Sequence, residues 1–426
     1  MGLGQGALGD LGQQVTDSSL KTEPASSGQP IRPCPVCGSV LHEVLYQQRF
    51  EQFAAGSITD VYDVVACHTC GMCFASGLPD QTRFSEYYDQ SSKYDQGAAG
   101  AELSSFDAER FAHEARFIAD NVGDRTGRVL DIGTATGGFL VALRDLGFTS
   151  VHGVEPSPDA ARVARETHGL DVVAGDVGTA KAWGTQYSVV SLVAVLEHLV
   201  DPAAALRDIA GLLAADGLLY LHVPDAARFD DDVDAPYQQF SVEHINYFTA
   251  ASLRNLLASF GLEVAAQRAI VVKLSDIAEG PALEVLCRRA ARQVAVDRDL
   301  EGVAALRRYI ARSAEKEATV LVRISELAEA QSPIYVWGTG THTLHLLATS
   351  RLAECNIVGF IDSNPHYSGR QLAGRTVLDP QAVGIPGGPI LVASAVSQTA
   401  IANSARRLFG PDVSLILLYE AVDGPD

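Results

Sequence analysis

Two pairs of cysteines, Cys34-Pro-Val-Cys37-Gly and Cys67-His-Thr-Cys70-Gly, have the spacing at which both thiols of a pair can reach one ion. Four thiolates so arranged suit a tetrahedral zinc. We expect a structural zinc on Cys34, Cys37, Cys67 and Cys70. The metal would supply folding energy to a segment too short to bury a core of its own. The glycine after each pair is expected to permit a tight turn that aims backbone amides at the thiolates. The alternative is a pair of buried, reduced thiols. Cys73, Cys287 and Cys355 are expected in the core.

A second run, Leu130-Asp131-Ile132-Gly133-Thr134-Ala135-Thr136-Gly137-Gly138-Phe139, reads as a strand, a glycine-rich turn and a helix start. Such a turn lets a backbone approach a ligand, and the helix N-terminus favours a carboxylate. It lacks the G-x-G-x-x-G of a dinucleotide site. Its D-x-G-x-x-x-G form resembles motif I of the Rossmann-like S-adenosylmethionine-dependent methyltransferases. Further segments fit that family in order. Glu155 ends the next strand about 20 residues on, where a carboxylate can accept from two ribose hydroxyls. Asp176 follows in Ala174-Gly175-Asp176-Val177, then Val195-Leu196-Glu197-His198-Leu199 and the strand Leu218 to Pro224. The resemblance implies a donor site of Asp131, Gly133, Thr134, Gly137, Gly138, Glu155, Asp176, Val195 and His198, with Asp176 toward the adenine amine. A helix N-cap is the other reading of Asp176.

A third run, Phe240-Ser241-Val242-Glu243-His244-Ile245-Asn246-Tyr247-Phe248-Thr249, sets an acid beside a histidine. Histidine can take a proton near neutral pH, and a neighbouring acid can orient it. Packing against the following helix is the alternative for His244. A module with two CxxC pairs, a methyltransferase core, "EHxxYF" and a C-terminal Rossmann-like unit is together similar to the nucleotide-sugar C-methyltransferases. That resemblance spans about Ile31 onward. It implies a catalytic set of His244, Glu243 and Tyr247, and a sugar site including Tyr87, Tyr88 and Tyr94. Its acceptor would be a small molecule, a nucleotide-linked keto sugar. The chain departs from the family pattern in Thr134-Ala135-Thr136 of motif I and in Trp337-Gly338-Thr339-Gly340-Thr341-His342, which lacks the family's lysine.

These residues need elements to hold them. Short apolar runs alternate with amphipathic stretches from Val129 to Ala269, a βαβ rhythm that predicts a mostly parallel sheet. Ala290 to Ala330 reads as one or two long helices, and a second α/β unit begins at Pro333. There Asp362 follows a glycine turn, a pattern that also fits NAD except for its missing third glycine. The fold class is therefore α/β: a Rossmann-like methyltransferase core, an N-terminal zinc module and a C-terminal Rossmann-like domain. We divide the chain into a disordered tail (1–29), the zinc module (30–80), the methyltransferase domain (81–270), a helical connector (271–330) and the C-terminal domain (331–426).

The 426 residues are 47% hydrophobic and 20% charged, an ordinary globular composition. The net charge of −20 disfavours nucleic acid and anionic membranes as partners. No apolar run is long enough to span a bilayer, and the first residues lack a secretory pattern. With paired rather than scattered cysteines, a reducing cytoplasm is expected. The rival functions are O- or N-methylation, a zinc-bearing nucleic-acid methyltransferase, and a non-catalytic S-adenosylmethionine binder.

Overall fold

The computed structural model describes residues 30–53, 58–91, 103–231, 233, 235–273, 279–292, 297–384 and 386–419. The expected tail and Tyr94 lie outside the described residues, as does the side chain of Tyr88.

The chain opens with β1 (His42–Arg49), β2 (Val61–Cys67) and β3 (Cys73–Ser76), an antiparallel meander followed by α1 (Gln81–Ser91), which carries Tyr87 and Tyr88. The middle unit then runs α2 (Ser105–Asn121), β4 (Arg128–Ile132), α3 (Gly138–Asp145), β5 (Ser150–Glu155), α4 (Pro158–His168), β6 (Asp171–Ala174), α5 (Val177–Ala182), β7 (Tyr187–Val193), α6 (Pro202–Leu212) and β8 (Leu213–Pro224). Next come β9 (Asn246–Tyr247), α7 (Ala250–Ala258), β10 (Leu262–Lys273) and β11 (Glu279–Arg289). Seven strands form one sheet in the order β10-β11-β8-β7-β4-β5-β6, with β4 to β8 parallel and β11 antiparallel to both neighbours. Strand order reverses beside β4, so the crevice at the carboxyl ends of β4 and β7 is where a ligand binds in such sheets. The start signals are local: Ser157 caps α4 ahead of Pro158, and Asp201 caps α6 ahead of Pro202.

Two boundaries differ from the sequence reading. The sheet extends through Arg289, so the first part of the expected helical connector is strand: β11 is apolar and buried along most of its length, which seats it centrally between β10 and β8. The cysteine module also borrows a strand, because β9 pairs with β3 across a long sequence separation.

The helical stretch is a single helix, α8 (Leu300–Ala330), capped by Asp299. Its buried residues Gly302, Ala305, Leu306, Tyr309 and Ser313 recur at helical spacing, the signature of one packed stripe. The C-terminal unit follows as β12 (Ile334–Trp337), α9 (Thr341–Thr349), β13 (Ile357–Ile361), β14 (Gln371–Leu372), β15 (Arg375–Leu378), β16 (Ile390–Val392), α10 (Gln398–Phe409) and β17 (Leu415–Leu417). Its sheet order is β14-β15-β13-β12-β16-β17, parallel except at β14. Among the described residues no helix is long and apolar enough to cross a membrane.

Candidate active site

At the end of β4, Asp131 is 1% exposed and accepts a 2.6 Å hydrogen bond from Ser191 Oγ on β7. The pair straddles the switch point. Burial raises the Asp131 carboxyl to about 7, against the opposing bonds from Ser191 and Thr134. Gly133 has φ +76, and a Cβ there would sit 2.6 Å from Val195 Cγ2, so a side chain at this position would be strained and would displace Val195. Gly137 and Gly138 face Leu170 and Leu103, so their missing side chains make room for the protein's own packing. Glu155 is buried at the end of β5. One carboxylate oxygen accepts from Ala135 N at 2.8 Å and the other from Ser157 N at 2.8 Å. It therefore braces the glycine turn. Asp176 is the N-cap of α5, its Oδ1 accepting from Thr179 N at 3.1 Å in a capping box.

The loop after β7 connects this crevice to the acid–histidine pair. Val195 covers Gly133, and three residues later His198 Nδ1 lies 3.1 Å from the Glu243 carbonyl oxygen. The rings of His198 and His244 meet edge to face with centroids 4.8 Å apart. The Tyr87 hydroxyl donates to Glu243 Oε1 at 2.9 Å, and burial together with that carboxylate raises the Tyr87 pKa. Ser241 Oγ accepts from His244 N at 3.0 Å and fixes the turn. Tyr247 is placed elsewhere: it is 2% exposed, packs on Phe240, and its hydroxyl meets that of Tyr62 at 3.4 Å. His198, read from sequence as a donor-site residue, stands on the Glu243–His244 side.

Two residues not singled out by sequence hold these loops together. Arg32 is 7% exposed and donates to the carbonyls of Ala75, Leu199, Val200 and Ile245 and to Asn246 Oδ1. Asn246 Nδ2 donates to the carbonyls of Leu196, Glu197 and Leu199. Burial lowers the Arg32 pKa to about 10, still far above neutrality, so it stays charged. One guanidinium thus joins the cysteine module to the loops bearing His198 and His244. The only sequence signal is that Arg32 is one of two arginines in a module with more acidic than basic residues.

The four cysteine sulfurs converge as expected. Cys34 and Cys70 Sγ are 3.5 Å apart, as are Cys37 and Cys67, and all four lie within 4.8 Å of one another. A tetrahedron with metal–sulfur bonds of about 2.3 Å has edges of about 3.8 Å, so the group fits zinc. Gly38 N donates to the Cys34 carbonyl and Gly71 N to that of Cys67, so the glycine amides close the turns rather than face the sulfurs. At Gly71, φ is +78 and a Cβ would lie 2.4 Å from Asp299 O, which seats the knuckle on the start of α8. Cys73 is buried, with its sulfur 3.7 Å from Gly71 O.

A crevice of about 500 Å³ opens at the carboxyl ends of β12, β13 and β16. Asp362, Tyr367, Ser394, Ser397 and His342 line it, together with Gln238 from the middle of the chain. His342 is 5% exposed. Its Nε2 meets the Tyr419 hydroxyl, and its Nδ1 has no partner among the described residues. Desolvation lowers its pKa to about 3, which keeps the ring neutral. Tyr367 feels the charges of Asp362 and Glu243, so this crevice borders the Glu243 side of the middle unit. His345 is bound to Glu317 at 2.8 Å and is a buried structural residue.

With this geometry described, comparison with known proteins gives the following. Residues 104–267 match the family model described as "Methyltransferase domain". The chain therefore carries a methyltransferase domain, built on the α/β sheet above. The C-methyltransferase NovU of Streptomyces niveus is 27% identical over 244 residues, 54% of this chain and 51% of that protein. The chain thus spans about half the length of the curated relative it matches. Among solved structures, magnesium protoporphyrin IX methyltransferase of Synechocystis PCC 6803 with bound SAM is 19% identical, covering 49% of this chain and 97% of that one, with a TM-score of 0.35. The CcbJ methyltransferase of Streptomyces caelestis is 19% identical, covering 48% and 97%, with a TM-score of 0.36.

Proposed function

We propose that this protein transfers a methyl group from S-adenosylmethionine to the carbon beside a ketone in a sugar-like, nucleotide-linked acceptor. The carrying observation is the loop after β7, in which Val195 covers the motif I glycine and His198 meets Glu243 and His244. Three residues span at most about 11 Å, so donor crevice and candidate base are neighbours. In this reading Asp131, Glu155 and the glycine turn hold the donor, with Asp176 toward its adenine. His244 takes the acceptor's α-proton, and the electron pair of that C–H bond forms an enolate. The Tyr87 hydroxyl, which donates to Glu243 here, turns to the enolate oxygen. The carbanion attacks the methyl in line, and the C–S pair leaves with sulfur as a neutral thioether. Holding both reactants in place supplies much of the rate. Zinc on Cys34, Cys37, Cys67 and Cys70 is structural. The crevice lined by Asp362 and His342 receives the remote part of the acceptor, where the buried His342 Nδ1 has no partner among the described residues. The relationship to a C-methyltransferase supports carbon as the acceptor atom.

The test is mass spectrometry of products formed from labelled donor and a panel of nucleotide-linked keto sugars. In deuterated water without donor, the wild type is expected to exchange the acceptor's α-proton. His244→Ala should lose that exchange and about 100- to 10,000-fold in turnover while keeping donor affinity. Methyl found on oxygen or nitrogen, with no exchange, would overturn the carbon assignment.

A further inference from the structure

Glu197, His198 and His244 offer ligand atoms that all lie within 4.8 Å of one another. Glu197 and His198 are adjacent on a 3-10 turn (Leu196–His198) at the end of β7, and His244 comes from the loop before β9. Buried hydrogen bonds fix these two backbones against each other: Ile245 N donates to Glu197 O at 3.0 Å, and Asn246 and Arg32 bridge the rest. The Glu243 carbonyl beside His198 Nδ1 can only accept, so Nδ1 carries the proton and the lone pair of the neutral ring is on Nε2. That Nε2 lies 3.7 Å from Glu197 Oε1, longer than a hydrogen bond between them. Two ligands on one tetrahedral ion, with bonds of about 2.0–2.2 Å, stand about 3.4 Å apart. The Glu197 carboxylate is 1% exposed.

We propose that Glu197, His198 and His244 form a second metal site, separate from the cysteines, for a single divalent transition ion. Two imidazoles and one carboxylate suit zinc, cobalt, nickel or ferrous iron rather than magnesium or calcium. Occupancy switches methyl transfer off, because the ion takes the imidazole lone pair of His244 that would receive the acceptor's proton. The switch rests on the reading of His244 as base, whereas the binding does not.

The experiment uses the full-length protein with its cysteine site filled by zinc, titrated with Co²⁺. The expected result is one further equivalent with a visible ligand-field band and no thiolate charge-transfer band. Both Glu197→Gln and His198→Asn should weaken it at least about tenfold, with near-UV circular dichroism checking that each variant is folded. Turnover should fall in proportion to occupancy and return with a chelator that leaves the cysteine zinc in place. Absence of the band, its persistence in both folded variants, or a charge-transfer band alone would overturn the site. The band without loss of turnover would overturn the switch and fault the base reading while leaving the metal site standing.

Discussion

The middle and C-terminal units solve the same local problem with the same wiring. In the middle unit, Glu155 at the end of the second strand accepts from Ala135 N in the glycine turn and from Ser157 N two residues ahead. In the C-terminal unit, Asp362 accepts from Thr339 N in its glycine turn and from Asn364 N two residues ahead. A carboxylate at that position is therefore part of the turn's architecture before it is a ligand contact. What separates the units lies around the turn. The middle one has buried Asp131 below and Val195 above, leading directly to His198 and His244. The C-terminal one has Trp337 in the first strand, an open crevice above, and a buried neutral histidine at its helix start. Equal scaffolds with unequal surroundings argue for two ligands rather than two copies of one site.

The largest effect that would sharpen this contrast concerns Arg32. Its bonds reach carbonyls of the cysteine module and of the loops above the middle unit. Arg32→Met should cost about 3 kcal/mol, since buried acceptors lose a charged donor. Chemical unfolding would measure it. The chain has two tryptophans, Trp183 after α5 and Trp337 in β12, so fluorescence of single-tryptophan variants reads each unit separately. The Trp183 transition should shift more than that of Trp337; the reverse would break the assignment of Arg32 to the middle unit.

Acid should act on the two units with opposite signs. His342 has a folded pKa of about 3 against 6.5 unfolded, so the unfolded chain binds more protons between those values and stability falls as pH falls. Asp131 has a folded pKa of about 7 against 3.8 unfolded, so the folded chain binds more protons and stability rises as pH falls through 7. From pH 7.5 to about pH 5 each contributes about 2 kcal/mol, in opposite directions. Urea unfolding at both pH values should show His342→Asn losing the acid sensitivity of the Trp337 transition. Asp131→Asn should lose the acid gain of the Trp183 transition. Equal slopes in both variants and wild type would contradict the burial argument.

A smaller effect distinguishes cap from contact at Asp176. Asp176→Ala should cost about 1 kcal/mol through the lost N-cap. A drop in donor affinity beyond the wild type would add the adenine contact; unchanged affinity would leave it a capping residue alone.

What was legible in the sequence was what is encoded locally. The strand, turn and helix of motif I lie within ten consecutive residues, and the acid closing the next strand follows at a spacing set by one βα unit. The cysteine pairs were legible because ligand spacing is short-range. Arg32 was not: most of its partners are backbone carbonyls, as far as 213 residues away, and no side-chain pattern marks a carbonyl as an acceptor. Tyr247, expected in the catalytic set, lies in the core for a different reason. Neighbours on a strand point to opposite faces, so on β9 Asn246 meets the loops while Tyr247 enters the aromatic core. Glu243 beside His244 suggested an orienting pair, whereas the long-range bond to Tyr87 on α1 depends on packing between elements. The Leu262–Arg289 hairpin hid because its alanines and apolar residues suit helix and strand alike.

The central claim is a division of labour, with the donor in the middle unit and the acceptor's remote part in the C-terminal one. Calorimetry of S-adenosylmethionine binding to Glu155→Ala and Asp362→Ala tests it directly, because the two carboxylates are wired alike. Glu155→Ala should weaken binding by about 100-fold, the loss of an ionised acceptor from buried hydroxyls. Asp362→Ala should leave it within about twofold, as expected for a distant site. Equal losses in both variants, or a loss confined to Asp362→Ala, would contradict the account.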